Sequence, residues 1–91
     1  MSLLKSKQIS DELDNMDGWV FENNKITKSY HFDNYMDGIK FVNILADKAE
    51  ELNHHPDLLV GWCEVSVGFT SHDKGGVTSA CIEMAKIVEK L

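Results

Sequence analysis

Residues 51–70 read ELNHHPDLLVGWCEVSVGFT, and the fold turns on a change of period inside them. Up to Leu52, apolar residues recur at three- and four-residue spacing through Met36, Ile39, Val42, Leu45, Ala46 and Ala49, as in an amphipathic helix. Asn53 suits a C-terminal stop, and Pro56 lacks the N–H that would let the helix resume. From Leu59 the period becomes two. Leu59, Cys63, Val65, Val67 and Phe69 point one way with Gly61 in phase, while Trp62, Glu64, Ser66, Gly68 and Thr70 point the other. One apolar face and one mixed face fit an antiparallel sheet covered by helices on one side. The segment is long for one strand, so a bend or break is expected near Gly61 or Gly68.

Working outward, Asp33 is the expected N-cap of the long helix. Before it, WVFENNKITKSYHFD reads as a hairpin turning across Glu22-Asn23-Asn24-Lys25, because Asn-Asn tolerates the left-handed backbone of a tight turn. Ile26, Lys28, Tyr30 and Phe32 share one face of its second strand, and Thr27, Ser29 and His31 the other. ISDELDNM (residues 9–16) reads as a first helix with acids in its first turn, ended by Gly18. After the polar loop SHDKGG, Thr78 is placed to cap a last helix with Cys81, Met84, Ala85, Val88 and Leu91 buried. The expected fold is α+β, a four-stranded antiparallel sheet with helices on one face, in the order α-β-β-α-β-β-α. No repeat or linker divides the chain, so residues 1–91 are read as one domain.

Nine Lys plus Arg against fifteen Asp plus Glu leave a net charge of −6. That balance argues against direct nucleic-acid binding, which needs clustered cations, and against an anionic membrane surface. The partner expected is a polar small molecule or another protein. No apolar run is long enough to span a bilayer, and MSLLKSKQISDELD is too polar and acidic for a signal peptide. Cys63 and Cys81 show neither metal-ligand nor redox spacing, so the cytoplasm is the expected location. With so small a core, self-association into a dimer is a reasonable expectation.

The four histidines are at 31, 54, 55 and 72. His31 reads as an ordinary half-exposed strand residue. Taken alone, His54 and His55 are a solvated helix end, where cationic rings suit the helix dipole. Three features argue for a site. Glu50, four residues before His54, is spaced to orient its ring along one helix face. Pro56 stiffens the loop and holds His55 extended. His72 stands at the end of the apolar strand, where a strand end and a helix end meet at one rim. Imidazoles with an ordinary pKa of about 6.5 supply both an acid and a base near neutral pH. Zinc ligation by His54, His55 and His72 is the weaker reading, since no HxH or HxxxH pair exists. No phosphate-cradling loop or nucleophile elbow is present. Trp62 reads equally as an aromatic wall for a flat ligand or as an interface residue. Cys81 falls in the first turn of the last helix, a setting that activates exposed thiols, but a small buried hydrophobe is the plainer reading.

Together these residues resemble pterin-4a-carbinolamine dehydratase, a family also known as the dimerisation cofactor of a homeodomain transcription factor. The motif is Glu50-Glu51-Leu52-Asn53-His54-His55-Pro56, then Trp62, then Thr70-Ser71-His72-Asp73. Gly18-Trp19 and Tyr30-His31-Phe32 also look like the family's strands, so the likeness covers nearly the whole chain. The resemblance implies subunits pairing into dimers or tetramers. It also implies loss of water from a 4a-hydroxytetrahydropterin to give a quinonoid dihydropterin, with no metal or organic cofactor. On it rest the expected roles: His54 and His72 as the acid/base pair, His55 binding and orienting the ring, Glu50 and Asn53 in support, and the Thr70–Ser71 backbone along the pterin edge. Two positions depart from the family, which commonly carries Asp at Asn53 and at Cys81. A non-catalytic dimeric module that engages a transcription factor or a pterin-dependent enzyme is the competing reading.

Overall fold

The period-two residues of the opening stretch form the middle of the sheet. The structure, a computed structural model, describes residues 3–91 in the order α1 (Ser6–Leu13), β1 (Val20–Glu22), β2 (Lys25–His31), α2 (Tyr35–Leu52), β3 (Asp57–Val60), β4 (Glu64–Phe69) and α3 (Ser79–Val88). Met1 and Ser2, which open the stretch weighed as a signal peptide, lie outside the described residues. The strands pair antiparallel in the order β1-β2-β4-β3. The expected α+β order is therefore observed. Asn23 and Asn24, with φ of 54° and 62°, make the expected tight turn between β1 and β2.

The long strand breaks at Gly61–Cys63, one of the two expected places, and the break reverses its phase. Leu58 and Val60 pair with Val67 and Val65 on the core side, whereas Leu59 pairs with Ser66 on the open side. Leu59 is therefore 73% exposed and Trp62 81% exposed, in place of the inward Leu59 that one continuous strand required. A period read across a reversing turn loses its register, because each strand restarts the alternation.

Ile26, Val65, Val67 and Phe69 meet Leu45 and Ala49 of α2, Ile9 of α1, and Cys81, Ile82, Ala85 and Val88 of α3. Complete burial of Phe69, Ile26 and Leu45 contributes about 1.5–3 kcal/mol each. The helix ends differ in detail from the sequence reading. α1 starts earlier, where Gln8 Oε1 accepts from Lys5 N–H at 2.7 Å, so no acid lies in its first turn. Asn34, not Asp33, caps α2, its Oδ1 accepting from Asp37 N–H at 2.9 Å. Gly38, Phe41, Leu45 and Ala49 face the core, while Met36 and Leu52 are exposed. Phe41 sets that rotation by packing on Tyr30 and Phe32, at centroid distances of 5.0 and 5.4 Å. Leu91 lies beyond α3 and is exposed. Among the described residues no helix is long and apolar enough to cross a membrane.

Candidate active site

The site begins where α2 stops. Asn53 takes the left-handed conformation, φ 52° and ψ 42°. Asn53 N–H then reaches Glu50 C=O at 3.3 Å and His54 N–H reaches Ala49 C=O at 3.1 Å, closing the last turn. This reversal decides where each histidine goes. His54 folds inward, its ring stacked on Phe69 at 5.9 Å and its Nε2 3.4 Å from Cys81 Sγ. His55 turns back along the helix and its Nε2 bonds Glu50 Oε2. The helical i,i+4 spacing pointed Glu50 at His54. The left-handed residue between them ends the helical geometry and delivers His55 instead.

The second half comes from the end of β4. Ser71 closes a turn over residues 72–75, donating its N–H to Gly76 C=O at 2.8 Å while its own C=O accepts from Lys74 and Gly75. Those Ser71 backbone groups bond within the turn. Ser71 Oγ is instead buried 2.7 Å from Thr78 Oγ1 and 3.5 Å from Cys81 Sγ. Thr70 Oγ1 donates to Asn24 C=O at 2.7 Å, away from the histidines. His72 stands at the rim with its Nε2 3.6 Å from Asp57 Oδ1.

Asn53, His54, Ser71, Asp73, Lys74, Thr78 and Ala80 line one cleft of about 350 Å³. Burial pushes the His54 imidazole below its ordinary 6.5. The charges of His55 and His72 act in the same direction, against that of Asp73. A half-buried, neutral imidazole beside two others can take or relay a proton near neutral pH. A larger cavity of about 550 Å³, beside Glu12, Met16, Lys86 and Glu89, contains no histidine or cysteine. Among the described residues no three His, Cys, Asp or Glu side chains are arranged to hold a metal ion together.

The structure thus gathers His54, His55, His72, Asn53, Ser71 and Glu50 around one end of the sheet. It does not bring Trp62 there, because the β3–β4 turn is at the opposite end of β3. His31 lies apart, exposed and 3.6 Å from Glu64. Phe69 as a platform for His54 and Asp57 as the neighbour of His72 were not foreseen. The Asp57–Gly68 pairing that puts Asp57 at the rim depends on sheet register. Cys81 is buried as expected, and it touches His54 as well.

The family model for pterin 4 alpha carbinolamine dehydratase matches residues 2–91. A protein from Sulfurisphaera tokodaii named "Putative pterin-4-alpha-carbinolamine dehydratase" is 36% identical over 91 residues, covering 100% of this chain and 98% of that protein. A protein of the same name from Halobacterium salinarum is 42% identical over 83 residues, covering 91% and 89%. The crystal structure of a transcriptional coactivator/pterin dehydratase from Brucella melitensis superposes with a TM-score of 0.92 at 28% identity, covering 98% of this chain and 97% of that one. In sequence along its length and in fold, this chain belongs to the pterin 4 alpha carbinolamine dehydratase family.

Proposed function

We propose that the protein is a hydro-lyase that dehydrates 4a-hydroxytetrahydropterin to quinonoid dihydropterin, as a step in tetrahydropterin recycling. The observation that carries this reading is the half-buried His54 lining a polar cleft, with His55 and His72 close enough for their charges to act on it. Family membership supports the same reaction. The C4a–O bond breaks as a proton reaches the departing hydroxyl, and N5 loses its proton as the C4a=N5 bond forms. Water leaves, and no electrons are exchanged with an external carrier. His54 and His72 act as the acid/base pair, each on the order of 10²–10⁴-fold in rate.

His72 suits a working group because it is only loosely held. Its contact with Asp57 is 3.6 Å, too long for a strong hydrogen bond, and its side chain is 69% exposed. His55, tied to Glu50, orients the pterin beside Asn53. The chain works as one domain in the cytoplasm, paired with further copies of itself.

A second reading has one observation in its favour. Leu59, Val60 and Trp62 form an exposed apolar edge at the β3–β4 turn, as a binding module or coactivator would offer a protein partner. Stopped-flow absorbance of 4a-hydroxytetrahydropterin decay separates the two. Wild-type protein at micromolar concentration is expected to accelerate dehydration well beyond the spontaneous rate. A trace superimposable on the buffer control would reject catalysis and leave the binding reading.

A further inference from the structure

Behind His54 runs a buried chain of uncharged polar groups. Thr78 Oγ1 and Ser71 Oγ are 2.7 Å apart, Ser71 Oγ is 3.5 Å from Cys81 Sγ, and that sulfur is 3.4 Å from His54 Nε2. Thr78 Oγ1 lies 3.8 Å from the same sulfur. Ser71, Thr78 and Cys81 are 7%, 1% and 0% exposed, so water does not compete for these contacts. Each hydroxyl and the thiol has one hydrogen to donate. At 2.7 Å one hydroxyl donates to the other, and Cys81 Sγ, 3.5 and 3.8 Å from the two oxygens, is placed to accept the hydrogen left over. The strongest acceptor left for the S–H is a bare imidazole nitrogen, and His54 Nε2 is the one within reach.

We infer that Cys81 is a positioning residue whose S–H donates to His54 Nε2 and fixes that ring as its Nδ1–H tautomer. The inference rests on the reading of His54 as a member of the acid/base pair, and it divides the labour within that pair. With Nε2 occupied by the thiol, Nδ1–H is the ring's one remaining polar group. His54 then acts toward a ligand as a hydrogen donor, and the proton-accepting step falls to His72. Stacking on Phe69 restrains the ring, whose Nε2 lies 3.4 Å from the sulfur. The groups facing His54 from other elements agree with a neutral ring. His55 and His72 oppose a charge on it, Lys74 lines the same cleft, and Asp73 is the acidic group acting the other way. A thiol partner, unlike a carboxylate, brings no charge to hold a second proton there.

The test is the tautomer itself, read by ¹⁵N–¹H correlation spectra of the histidine rings at a pH where His54 is neutral. Wild-type protein is expected to show His54 Nδ1 protonated and Nε2 bare. Cys81→Ala removes the donor with little change in core volume, and His54 is expected to shift to the Nε2–H form that unconstrained histidine prefers. Cys81→Ser returns a donor and is expected to restore Nδ1–H. A protonated Nε2 in the wild type, or a Cys81→Ala protein that keeps the wild-type tautomer, overturns the inference. The spectra need no substrate, so this result is independent of whether the protein proves to be a dehydratase.

Discussion

The two ends of α3 are held to the rest of the molecule in opposite ways. At the C-terminal end, Glu89 Oε1 accepts from Lys28 Nζ at 2.6 Å, Trp19 Nε1 at 2.7 Å and Tyr30 OH at 2.9 Å. Burial alone raises the Glu89 carboxyl, but bonds from Lys28, Tyr30 and Trp19 outweigh it and hold it below its ordinary 4.5. Tyr30 answers in the other direction, its phenol pushed above the usual range by burial and then by Glu89. At the N-terminal end, Thr78, Ser71 and Cys81 meet His54 through weak, uncharged contacts. Charge-assisted bonds are about twice as strong as neutral ones. The Glu89 end therefore fixes architecture, joining the segment before β1 and β2 to α3. The contacts that join Cys81 to His54, Ser71 and Thr78 involve no carboxylate, lysine or arginine. One helix serves as strut at one end and as the back wall of the proposed acid–base site at the other.

Substitutions at the strut sharpen this contrast. Glu89→Ala leaves Trp19 Nε1 without its acceptor and Lys28 unpaired, and is expected to lower unfolding free energy by about 1–3 kcal/mol. Denaturant titration measures it, and dehydration per folded molecule is expected to hold steady. Glu89→Gln keeps an acceptor for Trp19 and costs less, but changes the pH response. A carboxyl whose folded pKa is depressed stabilises above its unfolded value and loses that contribution as pH falls through the folded one. Wild-type stability is thus expected to fall below about pH 4.5, and the Gln variant to lose less there. Superimposable acid profiles would break the strut account. The smallest effect is expected at Trp62, which is 81% exposed. Trp62→Ala is expected to move single-chain stability by less than about 0.5 kcal/mol. A larger loss that grows on dilution would instead mark Trp62 as part of a subunit interface.

The fold was legible in the sequence wherever one element imposed one period. The change at Asn53–Pro56, the Asn23–Asn24 turn and the odd-numbered run Val65–Val67–Phe69 all rest on local backbone chemistry. What was not legible needed partners. The outward turn of Leu59 follows from a reversal between two strands that the alternation alone reads as one. The rotation of α2 follows from Phe41 packing on Tyr30 and Phe32, residues distant in sequence. In the site, residue types were visible and pairings were not. Glu50 was spaced for His54 along an ideal helix, yet Asn53 delivers His55 to it. The Cys81–His54 contact joins residues 27 positions apart, and only the packing of α3 against the sheet brings them together.

The most direct measurement compares kcat and thermal unfolding of wild type and His72→Ala in one stopped-flow dehydration assay. His72 is exposed and its Asp57 contact is long, so the fold gains little from it. The expected result is a loss of about 10²–10⁴-fold in kcat with the unfolding temperature unchanged. An unchanged kcat in a folded His72→Ala protein would contradict the account and remove this end of the sheet as the seat of acid–base chemistry.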